Sequence, residues 1–285
     1  METASLLAVC RVHQLLPDES SVGVTAIDKR PVEGPVKVHK LGVRGDVQAS
    51  RLDHGGEDQA VYAYSQADAD FWAGALGREL PPGIFGENLR VSGIDATGAV
   101  IGERWKIGLD VELEVTSPRV PCAAFQRRMG EAQWVKRFTA EGRVGTYLRV
   151  IRTGTIQAGD HIHRTFVPRH GITIGQWFSE PDAEIIERLR DAEADGEIRL
   201  QDEYHAKFET LLRRQGRAGQ APPVGGVRKL TAVVGRSITD GVELCLTLET
   251  SPTPEIPYSC PIFEAGLVSV GARTSDAGIF IGRAG

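Results

Sequence analysis

The sequence predicts a mainly β protein, with a strand-rich N-terminal domain followed by a small helical module and a short C-terminal extension. Three observations carry this expectation. Short apolar segments separated by Gly, Pro and Asp run from Leu6 to about Phe166. Within them, Val111-Glu-Leu-Glu-Val115 alternates apolar and acidic residues with period two. The 33 glycines and 15 prolines stand against 6% aromatics, as many short strands joined by turns require. Strands of this length and spacing build a barrel or a sandwich.

The strand segments, in order, are LLAVCRV, VGVTAID, VKVHKLG, AVYAY, NLRVSG, WKIG, VELEVTS and YLRVIRTG. Val111, Leu113 and Val115 are expected on one buried face. One helix interrupts the strands at about Ser65 to Leu76, with Ser65 as cap and Phe71, Trp72, Ala75 and Leu76 on one side. After Val167, three short helices are expected at Ile172 to Phe178, Asp182 to Arg190 and Asp202 to Arg214. Ser179-Glu-Pro-Asp182 caps the second, with Pro181 in its first turn. In the third, Tyr204, Phe208, Leu211 and Leu212 form an amphipathic docking face. Residues 217–285 read as a Gly/Pro-rich linker and an extension. Within it LTAVVGRS and VELCLTLE flank a Thr239-Asp-Gly241 turn, and the last 35 residues hold no clear period. The expected domains are thus 1–166, 167–216 and 217–285.

Composition excludes several classes. There are 33 Lys and Arg against 38 Asp and Glu, a net charge of -5, so a broad basic field for nucleic acid is absent. No stretch approaches the roughly 20 apolar residues of a membrane span. A secretory signal is not expected from METASLLAVCRV, with Glu2 near its start and Arg11 closing a short apolar run. Cys10, Cys122, Cys245 and Cys260 form no CxxC pair, which suits a reducing, cytoplasmic setting.

Four strings place rigid turn residues beside polar groups: Thr25-Ala-Ile-Asp-Lys-Arg-Pro-Val32, Asp53-His-Gly-Gly-Glu-Asp-Gln-Ala-Val61, Phe85-Gly-Glu-Asn-Leu89 and Ser117-Pro-Arg-Val-Pro-Cys122. Cys122 follows two prolines at the end of the alternating strand, so restricted dihedrals fix its place. A thiolate so held can ligate a metal or act as a nucleophile, and a buried structural thiol is the plain alternative. Arg119 supplies charge that favours a thiolate. Lys29, Arg51 and Arg143 are further candidates for neutralising a phosphate, each with a solvated surface residue as the alternative. His161 and His163 lie two apart with no third ligand nearby, and Arg44-Gly-Asp46 is a turn to which no function is assigned.

Those four strings, followed by Gly142-Arg-Val-Gly-Thr-Tyr147 and Gly154-Thr-Ile-Gln-Ala-Gly-Asp160, resemble the MOSC domain family in its YiiM-like branch. The resemblance covers about the first 166 residues. The helical module resembles that branch less closely, since Asp202-Glu-Tyr204 stands where a tryptophan is often found. It implies a MOSC-type β-barrel that binds the molybdenum cofactor (molybdopterin), with Cys122 as thiolate ligand to molybdenum, and no pyridoxal phosphate. It further implies reduction of N-hydroxylated bases, amidoximes and hydroxamates, in which two electrons and two protons enter and water leaves. Electrons would come from an external flavin or iron-sulfur protein, and a homodimer is allowed. His54 or Asp58 would act as the acid, with backbone capping as the alternative, favoured for Asp58. Lys29, Arg51, Asn88, Arg119 and Arg143 would hold the cofactor. Asn88 serves the pterin or the barrel backbone equally well, and Glu87 is read as structural. Two alternatives stand beside this: a sulfur or cofactor carrier using a Cys122 persulfide, without turnover of an organic substrate, and a relative repurposed in biosynthesis. The extension faintly resembles the first strands of a flavin barrel but is too short to supply electrons itself.

Overall fold

In the computed structural model, residues 4–19, 22–49, 55–179 and 181–218 are described, together with four strands at 232–236, 242–246, 272–275 and 278–281. The chain divides into two compact units, Met1–Pro222 and Pro223–Gly285. The first is mainly β. Its strands are β1 (Ser5–Val12), β2 (Leu16–Pro17), β3 (Val24–Thr25), β4 (Lys29–Pro31), β5 (Val36–His39), β6 (Gly42–Val43), β7 (Val61–Ser65), β8 (Leu89–Ser92), β9 (Arg104–Ile107), β10 (Val111–Pro118), β11 (Thr146–Arg152), β12 (Gly154–Ile156) and β13 (Ile162–Phe166). Between them lie helices α1 (Gln66–Leu76), α2 (Ala123–Met129) and α3 (Trp134–Glu141), and after them α4 (Ile174–Ser179), α5 (Ala183–Ala194) and α6 (Asp202–Ala218).

Eight strands form one mixed sheet in the order β13-β9-β10-β11-β7-β8-β1-β4, in which β7 and β8 run parallel and the other pairs antiparallel. The far edge returns to β1. Ser5 bridges His161, Leu6 N–H donates to the Asp160 carbonyl at 2.8 Å, and Ile162 N–H donates to the Ala4 carbonyl at 2.9 Å. This rolls the sheet around Leu89, Val91, Trp105, Leu113, Val115 and Leu148, all buried. The alternation in β10 behaves as expected: Val111, Leu113 and Val115 are buried, and Glu114 reaches Arg104 at 2.8 Å.

Several helical expectations need correction. Three helices, α1, α2 and α3, lie among the strands where one was expected. Ser65 stands at the cap position of α1, yet its hydroxyl makes no cap bond. It accepts from Ala96 N–H at 2.7 Å and donates to the Ile94 carbonyl at 3.2 Å, tying α1 to the segment after β8. The inward face of α1 is Asp68, Ala69 and Trp72, while Phe71 and Ala75 are exposed. Phe71 is instead covered by Arg143, whose guanidinium lies 4.2 Å from the ring centroid. Trp72 packs on Trp134 and Phe138, joining α1 to α3.

The three C-terminal helices lie in the same compact unit as the sheet. Asp182 caps α5 by accepting from Ile185 N–H at 2.8 Å, and Pro181 precedes that cap rather than entering the first turn. Tyr204 of α6 stacks on Trp177 of α4, and its hydroxyl donates to the Thr116 carbonyl at 2.8 Å. Tyr204 and Phe208 are buried, so the amphipathic face docks as its pattern requires.

In the second unit, β14 (Ala232–Arg236) pairs with β15 (Val242–Leu246), and β16 (Ala272–Ser275) with β17 (Gly278–Ile281), both antiparallel. The expected hairpin thus has its two strands. Its Thr239-Asp-Gly241 turn and Cys260 lie outside the described residues, and Cys245 falls within β15. No helix of the described residues is long and apolar enough to cross a membrane.

Candidate functional site

Beyond β10 the chain turns through Arg119, Val120 and Pro121 and enters α2 at Cys122, whose extended backbone (φ -130°, ψ 174°) precedes the first helical turn. Two prolines and a helix start therefore fix the thiol. Cys122 is half-buried and free, and lines a cavity of about 500 Å³. Lys29, Asp46, Gln59, Tyr62, Asn88, Arg119 and Tyr147 share that wall, and Val24, Val47 and Val120 bring exposed apolar surface to it.

Arg119 is buried. It donates from Nη1 to the Phe85 carbonyl, and its guanidinium lies 3.7 Å from the Phe125 ring centroid and 5.3 Å from that of Tyr62. Burial alone pulls its pKa down, but the attraction of Tyr62, Tyr147 and Cys122 outweighs this and raises it, so Arg119 holds its charge firmly. Burial conversely raises Tyr147, with Arg119 opposing, so the phenol keeps its proton. The Tyr62 and Tyr147 rings lie 5.2 Å apart, and the Tyr62 hydroxyl is spent on the Val144 carbonyl at 2.8 Å.

Lys29 does line the cavity, but paired: its Nζ sits 2.6 Å from Asp46 Oδ2. Asn88 is also committed to the protein. Its Oδ1 accepts from Tyr62 N–H at 3.1 Å, and its Nδ2 donates to Asp46 Oδ2 at 2.7 Å and to the Cys10 carbonyl at 3.2 Å. The choice left open for Asn88 thus falls to backbone and Asp46. Glu87 is structural as expected, accepting from Gly83 and Phe85 N–H and pairing with buried Arg90 at 2.6 Å. Gly83 is required there, because its φ is +91° and a Cβ would stand 2.3 Å from the Lys29 carbonyl.

Two expected site residues lie elsewhere. The Asp58 carboxylate faces Arg149 Nε at 3.3 Å and Arg199, and its carbonyl accepts from Thr116 Oγ1 at 2.6 Å, so it is a tether rather than an acid at the cavity. Arg143 pairs with Asp68 at 2.7 Å and does not line the cavity. Arg51 and His54 lie outside the described residues. His161 and His163 are exposed, and no group of three or more His, Cys, Asp or Glu suited to a metal occurs among the described residues.

The sequence reading missed Asp46, Gln48, Gln59 and Tyr147. Asp46 was dismissed as a turn, although it gathers Lys29, Asn88 and the Val12 N–H at 2.8 Å. The Gln48 carboxamide grips Gly56 from both sides, accepting its N–H at 2.9 Å and donating to its carbonyl at 3.2 Å. A glutamine distant from any motif gives no local signal of that clasp. A second free thiol, Cys10, is buried, and burial pushes its pKa up to about 12.

A family model described as MOSC domain matches residues 51–163. "Uncharacterized protein YflK" of Bacillus subtilis is 31% identical over 150 residues, covering 53% of this chain and 67% of that protein. A protein named "Reductase" of Gibberella moniliformis is 37% identical over 145 residues, 48% of this chain and 25% of that protein. "Protein YiiM" of Escherichia coli is 30% identical over 141 residues, 47% of this chain and 61% of that protein. The chain therefore spans about a quarter of the reductase and under two thirds of YiiM. Among solved structures, YiiM from Geobacillus stearothermophilus superposes with a TM-score of 0.59 at 23% identity, covering 73% of this chain and 99% of that one.

Proposed function

The chain belongs to the MOSC domain family and is YiiM-like, and from that membership we propose that its cavity binds the molybdenum cofactor and that the protein reduces N-hydroxylated bases or related N-oxygenated small molecules. The observation that carries this reading is the pairing of a half-buried Cys122 thiol with the buried, charged Arg119 on the wall of one cavity. Its volume of about 500 Å³ suits a small-molecule cofactor. The name of the Gibberella relative points the same way, over the part of that protein this chain matches.

The residues fit the group. Cys122 would supply a soft thiolate to the metal, and Arg119 would face the anionic parts of the cofactor with the donors not engaged by Phe85. When bound, the cofactor would supply the two-electron chemistry at a sulfur-rich centre. The chain's own part is binding and proton placement. The N–O bond of the substrate breaks, two electrons arrive from a separate flavin or iron-sulfur donor, two protons are taken up, and water leaves. Tyr147 keeps its proton on the cavity wall and is the described group best placed to bond the departing oxygen. Lys29 and Asn88 act indirectly, by fixing Asp46 and the strand ends around the cavity.

The test is turnover. Protein from a cofactor-competent host, given an electron donor, is expected to convert a hydroxylaminopurine and an amidoxime to the amine and amidine, and Cys122→Ser to fail. Metal-loaded protein that reduces no N-hydroxylated compound would contradict the reading.

A further inference from the structure

Surface valines are ordinary when scattered and informative when they gather at one opening. A residue that lines the cavity and is also largely exposed stands at its mouth, where cavity and solvent meet. Val24, Val47 and Val120 do both, at 38%, 42% and 61% exposure, and Val120 is two residues from Cys122. Each stands on held backbone. Val24 lies in β3 and pairs with Pro17 of β2, while Val47 follows Asp46, which binds Lys29, Asn88 and the Val12 N–H. Val120 lies between buried Arg119 and buried Pro121. This apolar surface is therefore presented with little ordering cost to a ligand that covers it. The cation at the mouth is already answered, since Arg127 of α2 pairs with Asp18 and, at 3.8 Å, with Glu19 in the β2–β3 connection. The floor differs, with the polar Arg119 and Asn88 buried there. A ligand that reaches Cys122 and extends toward solvent thus meets the valines.

We propose that Val120, with Val24 and Val47 at the same mouth, selects the substrate, and that the preferred N-hydroxylated compounds carry an uncharged apolar arm of several carbons beside the reacting group. This rests on the reading that N-hydroxylated compounds are reduced at this cavity. It adds which of them are favoured and which residue chooses.

The experiment takes cofactor-loaded protein through the unbranched amidoxime series from acetamidoxime to heptanamidoxime. kcat/KM is measured with an electron donor, and affinity by calorimetry without one, so that one readout needs no turnover. Wild type is expected to gain about 3-fold per added methylene over the first few, in both readouts. Val120→Asn is expected to lower the ratio between the longest and the shortest compound about 5-fold, and Val120→Ile to keep it. A loss of structure alone would weaken every member alike and leave that ratio unchanged. A wild-type ratio near one, or the same ratio in Val120→Asn, would overturn the assignment and leave reduction at the cavity standing. Folded wild type that neither binds nor reduces any member would contradict the reading of the cavity, and this assignment with it.

Discussion

Lys29 and Asp46 face each other across 2.6 Å on the cavity wall, with only 12% and 9% of their side chains exposed. The lysine of the Thr25–Val32 string is therefore not a free cation awaiting a phosphate. It completes a carboxylate that also takes the Asn88 amide and the Val12 N–H, and so joins β1, β4 and the residue that leads into β8 beside the cavity. Removing the carboxylate strands a nearly buried ammonium, a loss of about 3 kcal/mol or more. Asp46→Ala is expected to lower the urea midpoint accordingly, while Lys29→Met combined with Asp46→Leu recovers part of the loss because no lone charge remains. Equal midpoints for Asp46→Ala and wild type would contradict this account of the wall.

The helical module reaches the 55–60 segment through β10. Tyr204 donates to the Thr116 carbonyl, and Thr116 Oγ1 in turn donates to the Asp58 carbonyl. Tyr204→Phe removes the first bond and should cost about 1 kcal/mol. Hydrogen exchange should also quicken at residues 55–60 more than in the β9–β10 ladder. Unchanged exchange in 55–60 would show that the module does not steady that loop.

His170 makes stability depend on pH. It is buried, its Nδ1 accepts from Ile172 N–H at 3.0 Å, and its Nε2 lies 2.9 Å from the Ile101 carbonyl, so the neutral ring carries its proton on Nε2. Burial lowers its pKa below the usual 6.5. Between that lowered value and 6.5 the unfolded chain binds more protons, so the contribution is complete above 6.5 and is lost as pH falls through this window. Denaturation midpoints compared at neutral pH and at about pH 5 should fall on acidification, and fall less in His170→Gln. A histidine-independent profile would refute the assignment.

The strand-rich architecture was legible because period-two alternation and glycine-rich turns act locally, as in Val111 to Val115. The face of α1 was not, because Asp68 is drawn inward by Arg143 while Phe71 finds cover from the same arginine outside, a tertiary choice no helical period encodes. At the site, Cys122 and Arg119 were readable from the proline-bounded string that holds them. Asp58 and Arg143, carried as site candidates beside a structural alternative, pair away from the cavity, since motif membership does not say which way a side chain turns. Gln59 and Tyr147 stand inside quoted strings without being singled out there, while Asp46 and Gln48 meet their partners through contacts distant in sequence, such as the one between Asn88 and Asp46. The residue types of Asp46 and Gln48, a turn aspartate and an ordinary glutamine, carry no signal of that meeting.

The central claim is that Cys122 anchors a molybdenum cofactor in this cavity. The direct measurement is the molybdenum and pterin content of protein purified from a cofactor-competent host, beside Cys122→Ser purified in the same way. The account predicts near-stoichiometric metal and pterin in wild type and loss of the metal in the variant. Wild-type protein that is free of both and carries a persulfide on Cys122 would contradict it and assign the thiol to sulfur transfer.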